Sequence, residues 1–186
     1  LYAIIFLEMR DIMKKFFSVL LSFILVISLA VLTITISIGL PIYIRDFYFA
    51  FVKVTDLPTI SGYSFEVIET AFNELMDFLI LNKEFSTGAL KFSEEGKNHF
   101  IDVKFLFDLN FYGLIISLSV SLLIGILHRC KVIKIKRLFD LHPMFYSSII
   151  VILIPLVVGY FCLVDFDNAF TVFHHIFFPG KENWMF

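Results

Sequence analysis

The chain of 186 residues is strongly apolar, with 59% hydrophobic residues, 17% charged residues and a mean hydropathy of +0.90. This composition excludes an ordinary soluble domain and predicts an all-α integral membrane protein. The formal net charge of −2 gives no indication of a nucleic-acid partner, and none is expected. Charged residues lie between long apolar runs, so the runs define the predicted elements.

The first apolar run contains no charged residue from Phe16 to Ile44. About 20 apolar residues cross a bilayer, and the core of a secretory signal is shorter, so we predict a retained transmembrane helix over about 16–44. Pro41 is expected to end or kink this helix. Its Ser and Thr side chains are expected to bond to the backbone or to neighbouring helices.

Residues 45–108 form the polar part of the chain. Ser64 is a suitable N-cap for a helix with an apolar stripe and an acidic opposite face. The stripe consists of Phe65, Ile68, Phe72, Leu75 and Leu79. This amphipathic helix is too polar to cross a membrane, so we expect its stripe to pack against the outer ends of the spans or lie in lipid.

A second helix start lies in the segment from Phe92 to Lys104. Ser93 is a suitable N-cap, and a helix from there places His99 and Asp102 one turn apart on the same face. Two interpretations follow: an interfacial helix whose imidazole sits among lipid headgroups, or a functional site with a carboxylate beside a histidine. The spacing alone favours neither.

The second span is predicted over about 109–127, and it is followed by a basic loop, residues 128–143. Five Lys and Arg residues between Arg129 and Arg137 occur there with no acidic residue among them. Short loops rich in Lys and Arg stay in the cytoplasm, so we predict that this loop is cytoplasmic. Residues 45–108 are then expected on the extracytoplasmic side.

The third span is predicted over about 144–164, and it delivers residues 165–186 to the same side as His99. This outer segment is rich in aromatic residues and contains His174 and His175. We expect a fourth helix to follow Phe186, and we treat residues 1–186 as a single membrane domain with three spans. Its location is expected to be the cell membrane, with multiple passes.

Four residue groups in chain order resemble the bacterial lipoprotein intramolecular transacylase family. They are Phe92-Ser-Glu-Glu, His99-Phe-Ile-Asp102-Val103-Lys104, Phe173-His174-x-x-Phe177-Phe178 and Trp184-x-Phe186. Their order and predicted side of the membrane agree with that family over nearly the whole chain. Two departures are the His174–His175 doublet, where one histidine is expected, and the final helix, which would follow Trp184.

The resemblance implies an acyltransferase that moves the sn-2 fatty acid of a diacylglyceryl lipoprotein to the α-amino group of its N-terminal cysteine. It implies His99 and His174 as the catalytic pair. Asp102, one helical turn from His99, is expected to support the site by orienting the His99 ring through a hydrogen bond. Lipoproteins and membrane lipid are the implied partners. We expect no cofactor or metal, a monomeric protein, and an active site on the extracytoplasmic side.

Three other functions can be compared with this interpretation. A non-catalytic membrane subunit that handles lipids or lipoproteins would use its histidines only as interfacial anchors. A zinc site could combine His99, His174 and His175 with Glu94 or Glu95. However, the sequence contains no His-Glu-x-x-His spacing, and adjacent histidines rarely bind one metal ion together. A transporter is disfavoured because no charged residue lies in the middle of a span.

Overall fold

The computed structural model describes residues 2–184, apart from the side chains at positions 3–5 and 7. Within those residues the fold is helical, which confirms the all-α prediction. The helices are α1 (Tyr2–Tyr43), α2 (Asp46–Val54), α3 (Leu57–Ser61), α4 (Phe65–Leu81), α5 (Glu94–Arg129), α6 (Pro143–Val164) and α7 (Phe166–Phe177).

Three helical segments in the described part are long and apolar enough to cross a membrane: Glu8–Tyr43, Glu94–Arg129 and Pro143–Val164. Each of the three predicted spans is therefore confirmed as a helix that is long and apolar enough to cross a membrane. The spanning segments of α1 and α5 are longer than predicted, at 36 residues each. A helix of that length extends about 54 Å, which exceeds the roughly 30 Å of the hydrocarbon core. Polar turns therefore extend each of these helices beyond its charge-free run.

The chain divides into two compact units. The first unit comprises Leu1–Ile36 and Gly113–Tyr160, and the second comprises Ser37–Tyr112 and Phe161–Phe186. The second unit contains the polar segment of residues 45–108 and all of the predicted site residues, whereas the first contains most of the charge-free runs and the basic loop of residues 128–143.

Small polar side chains hold the first unit together. Ser28 Oγ donates a hydrogen bond to the carbonyl oxygen of Ser117 at 2.7 Å and lies 2.8 Å from Ser121 Oγ. Thr33 and Thr35 bond to carbonyl groups one turn earlier in α1. These contacts confirm the prediction for the Ser and Thr residues of the first span, because a hydroxyl in an apolar helix must find a partner in protein.

The predicted amphipathic helix is α4, and it begins as expected. Ser64 Oγ accepts a hydrogen bond from Val67 N at 3.3 Å. Two residues of the predicted stripe, Ile68 and Leu79, are buried. Phe72 stacks on Tyr48 of α2, with ring centroids 3.8 Å apart. The stripe therefore packs partly on α2, a helix that the sequence analysis did not predict.

Polar contacts fix α4 within the second unit. Lys83 donates a hydrogen bond to Asp77 at 2.7 Å, and Arg45 donates one to the other carboxylate oxygen. These two bonds, with Lys83 making the larger contribution, hold the pKa of the Asp77 carboxyl below its ordinary value. A further hydrogen bond joins α4 to α5, because Lys104 Nζ of α5 donates to the Phe78 carbonyl oxygen at 2.7 Å. The face of α5 that carries Lys104 is thereby held against α4.

Candidate active site

His99 lies in the second turn of α5, whose start agrees with the prediction. Ser93 Oγ accepts a hydrogen bond from Gly96 N at 3.0 Å. Glu94 and Glu95 occupy the first turn, where carboxylates stabilise the positive end of a helix. The His99 side chain is half-buried. The cap fixes the residue at which α5 begins, and therefore the position of the His99 imidazole in the second turn of the helix.

His174 lies near the end of α7, a helix that begins where Asp165 caps it. Asp165 Oδ1 accepts a hydrogen bond from Asn168 N at 3.0 Å. The His174 side chain is 6% exposed, and its Nδ1 lies 2.8 Å from the Phe170 carbonyl oxygen. A carbonyl oxygen can only accept, so Nδ1 carries the hydrogen. In the neutral ring the lone pair is then on Nε2.

The structure brings the two imidazoles together although 75 positions separate them in the sequence. Their ring centroids are 5.8 Å apart, and the rings are tilted by 32°. Phe178 contacts both rings, with centroid distances of 5.4 Å to His99 and 5.8 Å to His174. The pair therefore has an apolar wall on one side.

His174 is further enclosed by two aromatic side chains. Phe170 lies 4.1 Å from it, and Trp184 stacks on it at 4.4 Å with an angle of 27° between the planes. His175 is exposed, and its ring lies 6.3 Å from Trp184. The member of the doublet that meets His99 is therefore His174, as the resemblance implies.

Asp102 connects the helix of His99 to the segment after α7. Its carboxylate accepts a hydrogen bond from Asn183 Nδ2 at 2.9 Å and another from the Lys181 ammonium group. Both donors belong to residues 179–184, which we call the C-terminal strap. The orienting hydrogen bond from Asp102 to His99 stays a prediction, whereas the carboxylate visibly anchors the strap.

The C-terminal strap turns back at Gly180, whose φ of +74° lies in the left-handed region that favours glycine. Trp184 Nε1 donates a hydrogen bond to the Lys181 carbonyl oxygen at 2.9 Å. The strap therefore joins Asp102 of α5 to the His174 ring of α7. The sequence analysis did not identify Lys181 or Asn183, because residues in an irregular turn leave no periodic signal.

The arrangement can serve acid–base chemistry at a single bond. Two imidazoles on one side of an aromatic wall can accept a proton from one reacting group and deliver one to another. Within residues 2–184, no group of three or more His, Cys, Asp or Glu side chains has the arrangement of a metal site.

The sequence matches the family model of the lipoprotein intramolecular transacylase Lit over residues 23–186. No curated protein matches it. Among solved structures, the membrane integral lipoprotein intramolecular transacylase Lit from Bacillus cereus is similar, with a TM-score of 0.71 and 20% sequence identity. That similarity covers 95% of this chain and 77% of the other.

Two variants of the same Bacillus cereus protein, each with one histidine replaced, are also similar. The variant with arginine has a TM-score of 0.67 and 19% identity, covering 96% of this chain and 75% of that one. The variant with alanine has a TM-score of 0.68 and 19% identity, covering 96% and 76%. These structures agree in fold, and the family model matches most of the sequence. The chain therefore belongs to the lipoprotein intramolecular transacylase family, and it is a multi-pass membrane acyltransferase.

Proposed function

We propose that the chain moves the sn-2 fatty acyl group of a diacylglyceryl lipoprotein to the α-amino group of its N-terminal cysteine, which gives the lyso-form. The observation that carries this proposal is the contact between His99 and His174, at 5.8 Å between ring centroids. The reaction needs a proton acceptor for the amine and a proton donor for the leaving oxygen. An adjacent pair of imidazoles supplies both.

In the proposed reaction, the neutral α-amino group attacks the sn-2 ester carbonyl. His174 accepts a proton from the attacking nitrogen through Nε2, the atom left basic by the bond between Nδ1 and Phe170. The bond between the carbonyl carbon and the glyceryl oxygen then breaks, and His99 delivers a proton to that oxygen. An amide forms as the ester is lost. His99 receives the proton from His174 as it gives its own to the glyceryl oxygen, so each imidazole is neutral with one N–H at the start and at the end.

The nucleophile and the ester belong to the same substrate molecule, so the enzyme contributes mainly by holding them in a reactive geometry. Phe170 and Trp184 restrict the His174 ring on two sides. This restriction supports a fixed position for the proposed base relative to a bound substrate. Both histidines come from one chain, so we propose the monomer as the catalytic unit. The alternative of a non-catalytic subunit is set aside, because the family is one of enzymes.

We further propose that residues 1–186 form one membrane domain whose site is extracytoplasmic, with residues 45–108 and 165–186 outside. The basic loop of residues 128–143 supports a cytoplasmic location for that loop. Single cysteines labelled with an impermeant reagent test this in a background lacking Cys130 and Cys162. We expect labelling of a cysteine that replaces Glu94 and no labelling of one that replaces Lys134 in intact cells. The reverse pattern would overturn the topology.

Activity of purified variants tests the histidine pair. His99→Ala and His174→Ala should each lower conversion of a diacylglyceryl lipopeptide to its lyso-form by at least about a hundredfold. His175→Ala is the matched control, because His175 neighbours His174 in sequence but is exposed. It should retain most of the activity. Full conversion by the His99→Ala/His174→Ala double variant would refute the pair.

A further inference from the structure

A cavity of about 580 Å³ lies within the second unit. Residues of α2, α3, α4 and the first turns of α5 line it, together with the connection between α4 and α5. Its buried lining residues are Ile68, Ala71 and Gly96. Lys91 carries a charge, but it is exposed. The inner part of the cavity is therefore apolar.

One wall of the cavity is the connection between α4 and α5, and polar bonds fix it. Glu74 Oε2 accepts a hydrogen bond from Gly88 N at 2.7 Å and another from the Ser86 hydroxyl. Gly88 has a φ of +58°, and a Cβ there would approach Thr70 to 3.2 Å. The wall is thus held at a close distance from α4, and the cavity has a defined shape.

The cavity lies close to His99 along α5, although His99 itself is not one of its lining residues. Gly96 lines it and precedes His99 by three residues, and Phe100, the next residue after His99, also lines it. One helical turn is about 5 Å, so an ester carbonyl beside His99 lies within a few methylene groups of the cavity. Phe85 extends the same wall, with its ring 6.2 Å from that of Phe100.

We propose that this cavity binds the fatty acyl chain that is transferred. The inference rests on the proposed function and adds the part of the protein that selects the chain. The volume lies in the range of about 300–1,000 Å³ typical of sites that enclose a ligand. Burial of each methylene group against Ile68, Ala71 and the aromatic wall favours binding. The cavity therefore sets which chain lengths are transferred.

Filling and enlarging the cavity test this inference. Ala71→Phe adds a ring to a buried lining position, whereas Ala50→Phe makes the same change at an exposed position of α2 that does not line the cavity. The substrates are synthetic diacylglyceryl lipopeptides whose chains vary from about ten to eighteen carbons at sn-2 or at sn-1 alone. Mass spectrometry measures the N-acylated product of each.

We expect Ala71→Phe to lower conversion of the longest sn-2 chains at least about tenfold while leaving the shortest nearly unchanged. Ala50→Phe should follow the original protein at all lengths. Leu75→Ala, which enlarges the cavity by about three carbon atoms, should extend the preferred sn-2 chain by about two or three carbons. If the Ala71→Phe protein does not fold, the Leu75→Ala protein still tests whether the cavity determines the sn-2 chain length.

Two results would overturn the inference while leaving the proposed function intact. One is an unchanged sn-2 length profile in the Leu75→Ala protein and in folded Ala71→Phe protein. The other is a change that follows the sn-1 chain, since the cavity would then hold the chain that stays. Failure of the original protein to convert any lipopeptide would instead refute the proposed function and this inference with it.

Discussion

Replacement of Trp184 by Ala removes the side chain that stacks on His174 at 4.4 Å. Stacked aromatic pairs contribute about 0.5–1.5 kcal/mol beyond their buried area, and the Nε1 bond to Lys181 at 2.9 Å contributes about 1 kcal/mol. Together these interactions stabilise the position of the His174 ring by about 2 kcal/mol. If the activation free energy rises by this whole amount when they are lost, the rate falls roughly thirtyfold. We therefore expect Trp184→Ala to lower kcat about tenfold to thirtyfold.

Trp184→Phe is the control that separates positioning from folding. It keeps a ring for His174 to stack on and loses only the Nε1 bond, so the same arithmetic limits its loss of activity to about fivefold. The assay follows conversion of a diacylglyceryl lipopeptide at saturating and limiting substrate concentrations, with Tm measured in parallel. We expect kcat to fall more than KM changes, with a similar Tm for both variants. Equal activity of Trp184→Ala and the original protein would refute the positioning role.

Two further predictions concern stability. Phe72→Asp should destabilise the protein by about 2–4 kcal/mol, because Phe72 stacks on Tyr48 at 3.8 Å and contacts Phe49 at 5.6 Å. Phe47→Asp, at an exposed position of α2, is the control, and an equal Tm for both variants would contradict the packing. The pKa of Asp77 is lowered in the folded protein, so its contribution to stability is present above the ordinary value of 3.8 and is lost as pH falls through the folded pKa. The Tm of Asp77→Asn should therefore fall less than that of the original protein on acidification from about pH 5 to pH 3, and parallel curves would argue against the contribution.

Local signals in the sequence were sufficient for the long helices. Charge-free runs predicted the three spans, and Ser64 and Ser93 marked the starts of α4 and α5 because an N-cap acts on its own first turn. The short helices α2 and α7 were not predicted. Four of the nine residues of α2 and four of the twelve residues of α7 are Phe or Tyr, which suit a membrane interface as well as a helix, so composition did not distinguish the two.

Contacts between distant parts of the chain were the least predictable part of the site. Periodicity could place Asp102 one turn from His99, but it could not indicate that Lys181 and Asn183 would bind the carboxylate. The proximity of His99 and His174 was expected only from the resemblance to a known family. Tertiary packing determines the conformation of irregular segments such as the C-terminal strap, and no local pattern in the sequence predicts that packing.

The most direct measurement of the central claim is mass spectrometry of lipoprotein N-termini from cells with and without this protein. The account predicts lyso-form lipoproteins, with an acylated α-amino group and one remaining glyceryl acyl chain, only where the protein is present. Cells that carry the His99→Ala/His174→Ala double variant at equal abundance should retain the diacyl form. The same diacyl form in cells with and without the original protein would contradict the transacylase account.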